Sequence, residues 1–351
     1  MRKNIYIRIT ALLACLLLCF VSCIAKPEDE QEPVGEIVVD NFTPAVDNGA
    51  ESDRGREYAQ YAALSKEEFA IATDADLEYE EADGGVRITK YSGEYELLLL
   101  PDTIHGKSVV AIGKEAFASN RWLSAVVLPD SIKTIESLAF YGCNNLVYIA
   151  LGKGIESVGN YAFARCRALY AIDLSDADSI GIGALADCTA INSLTLSFIG
   201  SADGENEYLG YIFGADDIGH NADLVPDSLR SVVLSDNCTE IPDAAFYGCE
   251  NITTVIVPDS VERIGVRAFA KCRSLVEFST GDGVKTIGDD AFFGCDNLFA
   301  VTLGKNVEAI GMQAFFGCKS LENINLSTVK TIGSYAFYGS SILLDVTDCE
   351  E

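Results

Sequence analysis

Apolar residues recur along most of this chain in one fixed register. Pairs of alanine and phenylalanine stand 22 or 23 residues apart, with one longer gap near the middle of the chain. The pairs are Ala116-Phe117, Ala139-Phe140, Ala162-Phe163, Ala245-Phe246, Ala268-Phe269, Ala291-Phe292, Ala314-Phe315 and Ala336-Phe337, with Ala184-Leu185 as a variant. A fixed period of this length predicts a solenoid, in which each unit buries its apolar face only by stacking on its neighbours.

Other columns in the same register predict the elements of one unit. An aliphatic residue stands five positions before each phenylalanine, as Ile135 does before Phe140, and glycine usually follows it. Cysteine comes three positions after most of the phenylalanines, and a segment with alternating apolar residues follows, as from Leu146 to Leu151. Alternation predicts a strand and glycine a turn, and we expect one helical turn around each Ala-Phe pair. Stacked units then form a parallel sheet with strands about 4.8 Å apart.

The column pattern I-G-x-x-A-F-x-x-C-x-x-L-x-x-V-x-L resembles the BspA-like class of bacterial leucine-rich repeats. Leu128-Pro129-Asp130-Ser131-Ile132 and Val257-Pro258-Asp259-Ser260-Val261 match that family's step from strand to next coil. The resemblance covers residues 96–348. It implies an α/β, strand-rich, curved solenoid of about ten coils, with the parallel sheet on the concave face and short helical turns on the other side. It also implies a cell-surface protein whose usual role is adhesion or protein binding, although one such fold takes many ligands.

The segment 53–95 has no Ala-Phe pair and is predicted to cap the open end of the solenoid. Within it, the residues from Tyr58 to Phe69 could form a short helix and those from Val86 to Tyr91 a strand. The acidic run from Asp74 to Asp83 lacks the glycine of a calcium-binding loop and is interpreted as a solvated stretch.

The long gap between pairs predicts an irregular coil at residues 200–228. Phe213 is expected to take the place of the missing phenylalanine. Two interpretations of Tyr208 and Tyr211 stay open: they contact a partner together with His220, or they fill the core of a misfit coil. The second is favoured, because the enrichment of tyrosine at interfaces is only a statistical tendency.

Residues 1–23 have the features of a bacterial signal segment. A basic start precedes an apolar run, from Ile9 to Val21, that is shorter than the ~20 residues of a membrane span. Phe20-Val21-Ser22-Cys23 resembles a lipobox, which implies that Cys23 is lipidated and becomes the new N-terminus. The alternative Leu12-Leu13-Ala14-Cys15 leaves an apolar core of only about six residues, and a plain secretory signal cut nearby would also export the protein.

The acidic segment 24–52 is predicted to be a flexible tether. The protein is thus expected to be exported and lipid-anchored to the bacterial membrane at the cell surface, touching the membrane only through its N-terminal lipid. Acidic residues outnumber basic ones 53 to 25, for a formal net charge of -28. With no cluster of lysine and arginine, the chain is a poor ligand for nucleic acids or anionic headgroups.

The sequence offers little for catalysis or metal binding. It contains no P-loop, dinucleotide-binding or nucleophile-elbow motif, and its two histidines, His105 and His220, lie far apart. The seven cysteines of the repeat, and Cys238, are predicted to be buried thiols, with disulfides between stacked neighbours as the alternative. Cys349 is the thiol expected to react. No enzyme activity, metal or cofactor is predicted.

Outward-facing strand positions escape the packing rule and can encode recognition. The candidates for partner binding are Tyr148, Asp173, Thr254, Glu277, Asn323 and Asn325, with Tyr208 and Tyr211 of the irregular coil. Small, polar side chains dominate the strand positions, which suits a broad, shallow contact with a protein. The leading hypothesis is binding of a host-matrix or neighbouring-cell protein. The alternatives are a glycan-binding accessory of a polysaccharide uptake system and a structural surface-layer component.

Overall fold

The computed structural model describes residues 52–202 and 204–342. The signal segment 1–23 with Cys23, the tether as far as residue 51, and Cys349 lie outside the described residues. The described residues wind into a parallel-sheet β-solenoid of about 11 turns with few helices. This confirms the predicted fold class.

The helices of the described residues lie outside the regular coils. The α-helices are α1 (Asp53–Ala62) and α2 (Asn221–Leu224), and the 3₁₀ helices are Lys66–Glu68, Leu209–Phe213 and Ile218–His220. The strands, in chain order, are β1 (Ala70–Ile71), β2 (Leu77–Ala82), β3 (Gly85–Tyr91), β4 (Leu97–Leu99), β5 (Thr103–Ile104), β6 (Lys107–Ile112), β7 (Ala125–Val127), β8 (Thr134–Ile135), β9 (Tyr148–Ala150), β10 (Ser157–Val158), β11 (Ala171–Leu174), β12 (Ser179–Ile180), β13 (Ser193–Leu196), β14 (Ser231–Leu234), β15 (Glu240–Ile241), β16 (Thr254–Ile256), β17 (Arg263–Ile264), β18 (Glu277–Ser279), β19 (Thr286–Ile287), β20 (Ala300–Thr302), β21 (Ala309–Ile310), β22 (Asn323–Ile324) and β23 (Thr331–Ile332).

One side of the coils is the front sheet, formed by the alternating segments that the sequence predicts as strands. It consists of three parallel ladders, β1-β4-β7-β9, β11-β13-β14-β16 and β18-β20-β22. Equivalent positions of neighbouring coils are register partners, as Ala125 is to Tyr148 and Ser193 is to Ser231. The second residue of each regular strand turns into the core, as Val126 does, which leaves the residues on either side of it on the outward face.

A second sheet, which the sequence did not predict, lies on another side of the coils. Its strands run in the orders β12-β10-β8-β6-β3-β2, with β5 beside β6, and β15-β17-β19-β21-β23. Most of these strands have two residues, of which the second is the aliphatic residue before the glycine, as in Thr134–Ile135. A strand of two residues shows no alternation, so its pattern in the sequence cannot be told from that of a turn.

The Ala-Phe segments form consecutive β-turns where the sequence suggested a helical turn. Their N–H groups bond alternately within the coil and to the next coil: Ala116 N donates to Gly113 O at 3.1 Å and Phe117 N to Ala139 O at 2.8 Å. An α-helix bonds its N–H groups internally, so it cannot share them in this way. The residue before each alanine takes a left-handed φ between 54° and 64°: Glu115, Leu138, Tyr161, Gly183, Ala244, Arg267, Asp290, Gln313 and Tyr335.

The core contains two ladders that run from coil to coil. The phenylalanine rings stack at centroid distances of 4.7 Å between Phe117 and Phe140 and 5.1 Å between Phe269 and Phe292, and all four are buried, as predicted. Beside them, the thiols of six of the seven repeat cysteines donate to the phenylalanine carbonyl of the preceding coil, as Cys166 Sγ does to Phe140 O at 3.2 Å. The cysteines of the repeat are free and buried, which confirms the preferred interpretation, and so is Cys238.

The chain before β4 adds a helix and a hairpin. α1 begins and ends earlier than the predicted helix, and β3 contains the predicted strand from Val86 to Tyr91. The acidic run expected to be only solvated supplies β2, which pairs antiparallel with β3 at the edge of the second sheet. Glu78 of this strand lies 3.0 Å from Lys90 Nζ on β3. A charged edge strand of this kind resists pairing with a further strand.

The irregular coil packs into the solenoid. Leu185 N donates to Ile212 O at 2.8 Å, the bond that a regular coil makes to the next alanine. Ile212 and Phe213 therefore occupy the positions of alanine and phenylalanine, and both are buried. The ladder of the second sheet breaks at this coil, between β12 and β15.

The side chain of Asn221 replaces part of the missing ladder at this break. Its Oδ1 accepts from Gly210 N at 2.7 Å, and its Nδ2 lies within hydrogen-bond distance of three carbonyl oxygens of the following coil, those of Ala244, Ala245 and Tyr247. Asn221 is fully buried. One amide thus joins the irregular coil to the next regular one.

Candidate partner-binding face

The first part of the front sheet is covered by the chain itself. α1 lies against the outward side chains, and Tyr58 packs with ring centroids 5.5 Å from both Tyr148 and Tyr170. Tyr58 and Tyr148 are only 4% and 7% exposed. The cover continues over the small outward residues of the same strands, Ala125, Val127 and Ala171, which are buried with Phe69 in one cluster.

The local sequence explains why a helix forms here. Ser52 caps the N-terminus by accepting a hydrogen bond from Gly55 N at 3.1 Å, a favourable role for serine. Tyr58, Tyr61 and Ala62 lie three or four residues apart, so they share one face of the helix and all join this cluster. Burial raises the pKa of the Tyr148 phenol, so the covered rings remain neutral at physiological pH.

The outward face beyond β14 is open, and we call the part formed by β16, β18, β20 and β22 the open face. Its outward residues include Ile256, which is 42% exposed, and the polar Glu277, Ser279, Thr302 and Asn323. Phe299 stands just before β20 at the rim and is 39% exposed, next to the exposed Val276 of the preceding coil. The open face thus combines a few exposed apolar side chains with short polar ones.

The predicted site residues fall into three places. Glu277, Asn323 and Asn325 are exposed on or beside the open face, and Thr254 is half-buried at its start. Asp173 is exposed on β11, next to the covered region, and its Oδ1 accepts from Ser175 N at 2.9 Å. Tyr148 lies on the predicted face but beneath α1, so it is not available to a partner in this conformation. The repeat sequence could not predict this burial, because the helix that covers Tyr148 lies outside the repeat.

The two tyrosines of the irregular coil are part of its packing. Tyr208 is buried, with its hydroxyl 3.1 Å from Asn206 Oδ1, and Tyr211 packs half-buried against the core. The preferred interpretation of these aromatics as core residues agrees with this placement. The exposed part of the coil carries Asp216, Asp217 and His220, whose potential ligand atoms lie within 4.8 Å of one another.

Charge is distributed unevenly around the coils. Ion pairs between neighbouring coils lie along the second sheet, for example Lys285 to Glu262 at 2.8 Å, and in the turns beside the front sheet, for example Arg273 to Glu250 at 2.8 Å. Among the described residues, no ion pair includes a residue of the open face, whereas ion pairs lie in the turns on either side of it. Exposed pairs contribute little to stability, but they neutralise the basic side chains on the second sheet.

Two residues missed by the sequence analysis therefore belong to the candidate site, Val276 and Phe299. Each stands one position before a strand. The equivalent positions of other coils hold both polar and apolar residues, so no periodic pattern in the sequence predicted that these two side chains belong to the site. In the described part of the chain, no helix is long and apolar enough to cross a membrane.

The sequence of the chain matches a known protein family. The family model named BspA type leucine rich repeat region matches residues 101–202 and 218–346, in six copies, which is more than half of the chain. No curated protein matches.

Several solved structures are similar. A leucine-rich repeat protein from Bacteroides ovatus is 22% identical over 78% of this chain and 92% of its own, with a TM-score of 0.34. A leucine rich repeat protein of T. pallidum is also 22% identical, over 79% and 92%, with a TM-score of 0.29. A leucine rich cell surface protein from Faecalibacterium prausnitzii is 20% identical over 76% and 95%, with a TM-score of 0.29. At such scores it is the repeat model, rather than the structural likeness, that identifies the family.

Proposed function

This chain belongs to the family of BspA type leucine-rich repeat proteins, and from that premise we propose that it binds a protein partner through its open face. Leucine-rich repeats generally mediate protein interactions, and proteins of this family are typically bacterial surface proteins without catalytic activity. The partner would be a host-matrix protein or a protein of a neighbouring cell, so the role is adhesion without catalysis.

The observation that carries the proposal is the contrast between the two parts of the front sheet. The first part buries its outward residues under α1, whereas the open face leaves Ile256, Val276 and Phe299 exposed among short polar residues. Binding interfaces concentrate their energy in a few apolar anchors surrounded by polar groups. Thr254, Glu277, Asn323 and Asn325 would form such a surround, while Asp173 lies outside it, on β11, three strands before Thr254 in the same ladder.

We further propose that the protein is a lipoprotein anchored through Cys23. The lipobox-like Phe20-Val21-Ser22-Cys23 after a short apolar run supports it, and the acidic segment that follows would hold the solenoid away from the membrane. Metabolic labelling with a palmitate analogue should mark the protein, and Cys23→Ser should abolish the label. Labelling of Cys23→Ser equal to that of the wild type would contradict the anchor.

A matched pair of variants tests the binding face. Ile256→Ser with Phe299→Ser removes two apolar anchors that are 42% and 39% exposed, while Val266→Ser with Met312→Ser removes two residues that are 38% and 46% exposed at turns away from the front sheet. Cells that display each full-length chain are assayed for adhesion to matrix proteins and to neighbouring bacterial species.

We expect adhesion to fall at least about tenfold for the first pair, because each lost hot-spot side chain is worth more than 1 kcal/mol. The control pair should adhere like the wild type. Equal losses in both pairs, or no adhesion by the wild-type chain to any surface, would count against the proposal.

One observation favours glycan binding as a second candidate function. Tyr335 and Tyr338 are 65% and 62% exposed on the last coil that the structure describes, with ring centroids 6.0 Å apart, and Tyr338 continues a stack with Phe316 at 5.2 Å. Exposed aromatic rings are the platforms on which sugars stack. Specific binding on a glycan array, lost in Tyr335→Ala with Tyr338→Ala, would support this function over protein adhesion, and a blank array would remove it.

A further inference from the structure

The residues that stand just before the front strands form a column along one edge of the front sheet, which we call the rim column. Its members are Glu96, Ser124, Val147 and Tyr170 before β4, β7, β9 and β11, and Thr253, Val276, Phe299 and Glu322 before the strands of the open face. Backbone hydrogen bonds join neighbouring members, as Phe299 N donates to Val276 O at 2.7 Å. Val147 and Val276 hold the same position of the coil, yet they are 0% and 49% exposed.

The helix α1 causes this difference, because it lies along the first part of the rim column. The Tyr61 hydroxyl lies 3.2 Å from a carboxylate oxygen of Glu96, and the Tyr58 ring packs 5.5 Å from that of Tyr170. Val147 lies between these coils and is buried in the same apolar cluster as Tyr58. One amphipathic helix thus covers four consecutive members of the column.

A helix suits this column because its turns match the spacing of the coils. One turn rises about 5.4 Å and neighbouring coils lie about 4.8 Å apart, so successive turns meet successive coils. The ten residues of α1 extend about 15 Å, and the three coil spacings from Glu96 to Tyr170 measure about 14 Å. The open face has the same dimensions, since three coil spacings also separate Thr253 from Glu322.

The open face carries negative charge that the basic residues of its coils do not neutralise. Glu277 and Glu322 are exposed, and no ion pair of the described residues includes them. They lie on either side of the coil that carries Phe299. The basic side chains of these four coils lie at turns or on the second sheet and already have partners: Arg263, Arg267, Arg273, Lys285, Lys305 and Lys319 pair with carboxylates, and Lys271 lies over the Tyr247 ring.

We propose that the partner docks a basic amphipathic helix of about three turns along the rim column of the open face, as α1 does along the first part. This inference rests on the proposed function, since it names the element that the partner presents. Apolar residues one turn apart in that helix cover Val276 and Phe299. Its basic residues meet Glu277 and Glu322, which stand two coils apart, so these basic residues are about seven positions apart in the partner.

Peptides of 15 residues displayed on phage and selected on the full-length chain test the proposal. Two libraries share an apolar pattern of helical period and are random elsewhere, but one has a central proline that prevents a continuous helix. We expect enrichment only from the library without proline, with lysine or arginine seven positions apart. The enriched peptide, made synthetically, should bind at least about tenfold more weakly to Val276→Ser with Phe299→Ser, which lacks both apolar contacts.

The charge contribution is measured with Glu277→Gln with Glu322→Gln, which should also weaken binding of that peptide and reduce its dependence on salt. The matched control, Asp83→Asn with Asp178→Asn, removes two exposed carboxylates beside the second sheet and should bind like the wild type. Equal losses in the two charge variants would contradict the role of Glu277 and Glu322.

Three outcomes of the selection would overturn the proposal: no enriched peptide, enrichment of the proline library, or binding that survives the loss of Val276 and Phe299. If cell adhesion still depends on Ile256 and Phe299 in that case, the proposed function stands and only the helical partner is wrong. Helix binding by a chain that mediates no adhesion would support this inference and contradict adhesion.

Discussion

Asn221 holds the irregular coil to the coil that follows, so Asn221→Ala should separate the two. The substitution leaves the buried Gly210 N–H without its acceptor, 2.7 Å away in the native chain, and an unpaired buried donor costs about 1–3 kcal/mol. The Tyr247 carbonyl loses a donor at 3.1 Å, but it is half-buried, so water replaces part of that bond. The Ala244 and Ala245 carbonyls keep backbone donors. We expect the free energy of unfolding to fall by about 3 kcal/mol.

The loss should also divide the unfolding transition. Coils of a solenoid contact only their neighbours, and the second sheet is already interrupted at this position. Besides the apolar core, the coils before and after Asn221 are therefore coupled mainly by the front sheet, the bond from Leu209 N to Ala245 O and this amide. Trp122 is the single tryptophan of the chain and lies in the first block of coils. Its fluorescence therefore reports one block, while far-ultraviolet circular dichroism reports both.

Urea titration with both signals tests this reasoning. The two signals should coincide in the wild-type protein and separate in Asn221→Ala. Asn297→Ala is the matched control, since the Asn297 amide makes one exposed hydrogen bond, to Arg273 O at 2.8 Å, and its loss should cost less than about 1 kcal/mol. An Asn221→Ala protein as stable as Asn297→Ala would show that the Asn221 amide does not hold the two coils together.

Two further predictions concern the ladders of the core. Phe269→Ala should lower the free energy of unfolding by about 3–5 kcal/mol in urea titration, because its ring stacks at 5.0 Å and 5.1 Å on the rings of both neighbouring coils. Phe299→Ala at the rim should lower the free energy of unfolding by much less. Similar losses in the two variants would contradict the stacked core. Burial raises the pKa of Cys188 from 9.0 to about 12, so its thiol should escape alkylation at pH 8 until urea unfolds the chain, as peptide mass spectrometry would detect. Because the folded state holds the proton more tightly, the stability from this group is complete below pH 9 and is lost as the pH rises toward 12; stability that stays constant over this range would refute the assignment.

The elements that the sequence predicted are those with a periodic signal. Each front strand turns its second residue into the core, so the alternation around Ile149 or Val301 marks both its existence and its inward face. The stacked phenylalanines and the buried thiols follow from the fixed period in the same way. The second sheet has no such signal, because in Thr134–Ile135 only one residue points inward.

The turn geometry depends on the backbone and not on residue type. Leu138, Arg267 and Gln313 all take a left-handed conformation at the same position of the coil, although such residues rarely adopt it. The hydrogen bonds between coils impose this conformation, so it becomes visible only when the coils are stacked. Exposure in the candidate site could not be predicted from the repeat for a similar reason. Tyr148 and Glu277 occupy the same column of the repeat, yet a helix some ninety residues before Tyr148 covers Tyr148 and leaves Glu277 exposed.

Close contact between coils at Gly304 gives a last prediction. The Gly304 N–H donates to the buried hydroxyl of Thr280 at 2.8 Å, which draws the two coils together at the corner after β20. A Cβ on Gly304 would lie 1.8 Å from Gly281 O, a backbone atom that cannot move aside. Gly304→Ala should therefore push the coils apart and lower the free energy of unfolding by about 1–3 kcal/mol, the usual effect of overpacking.

The control for this substitution is Gly219→Ala in the exposed part of the irregular coil. The nearest atom to a Cβ there is a side-chain oxygen of Asp217, at 2.9 Å, which can rotate away. Urea midpoints of the two variants should differ, with only Gly304→Ala destabilised. A Gly304→Ala protein as stable as the Gly219→Ala control would mean that neighbouring coils can separate at this corner without loss, and the tight stacking inferred from the repeat would then not extend to their backbones.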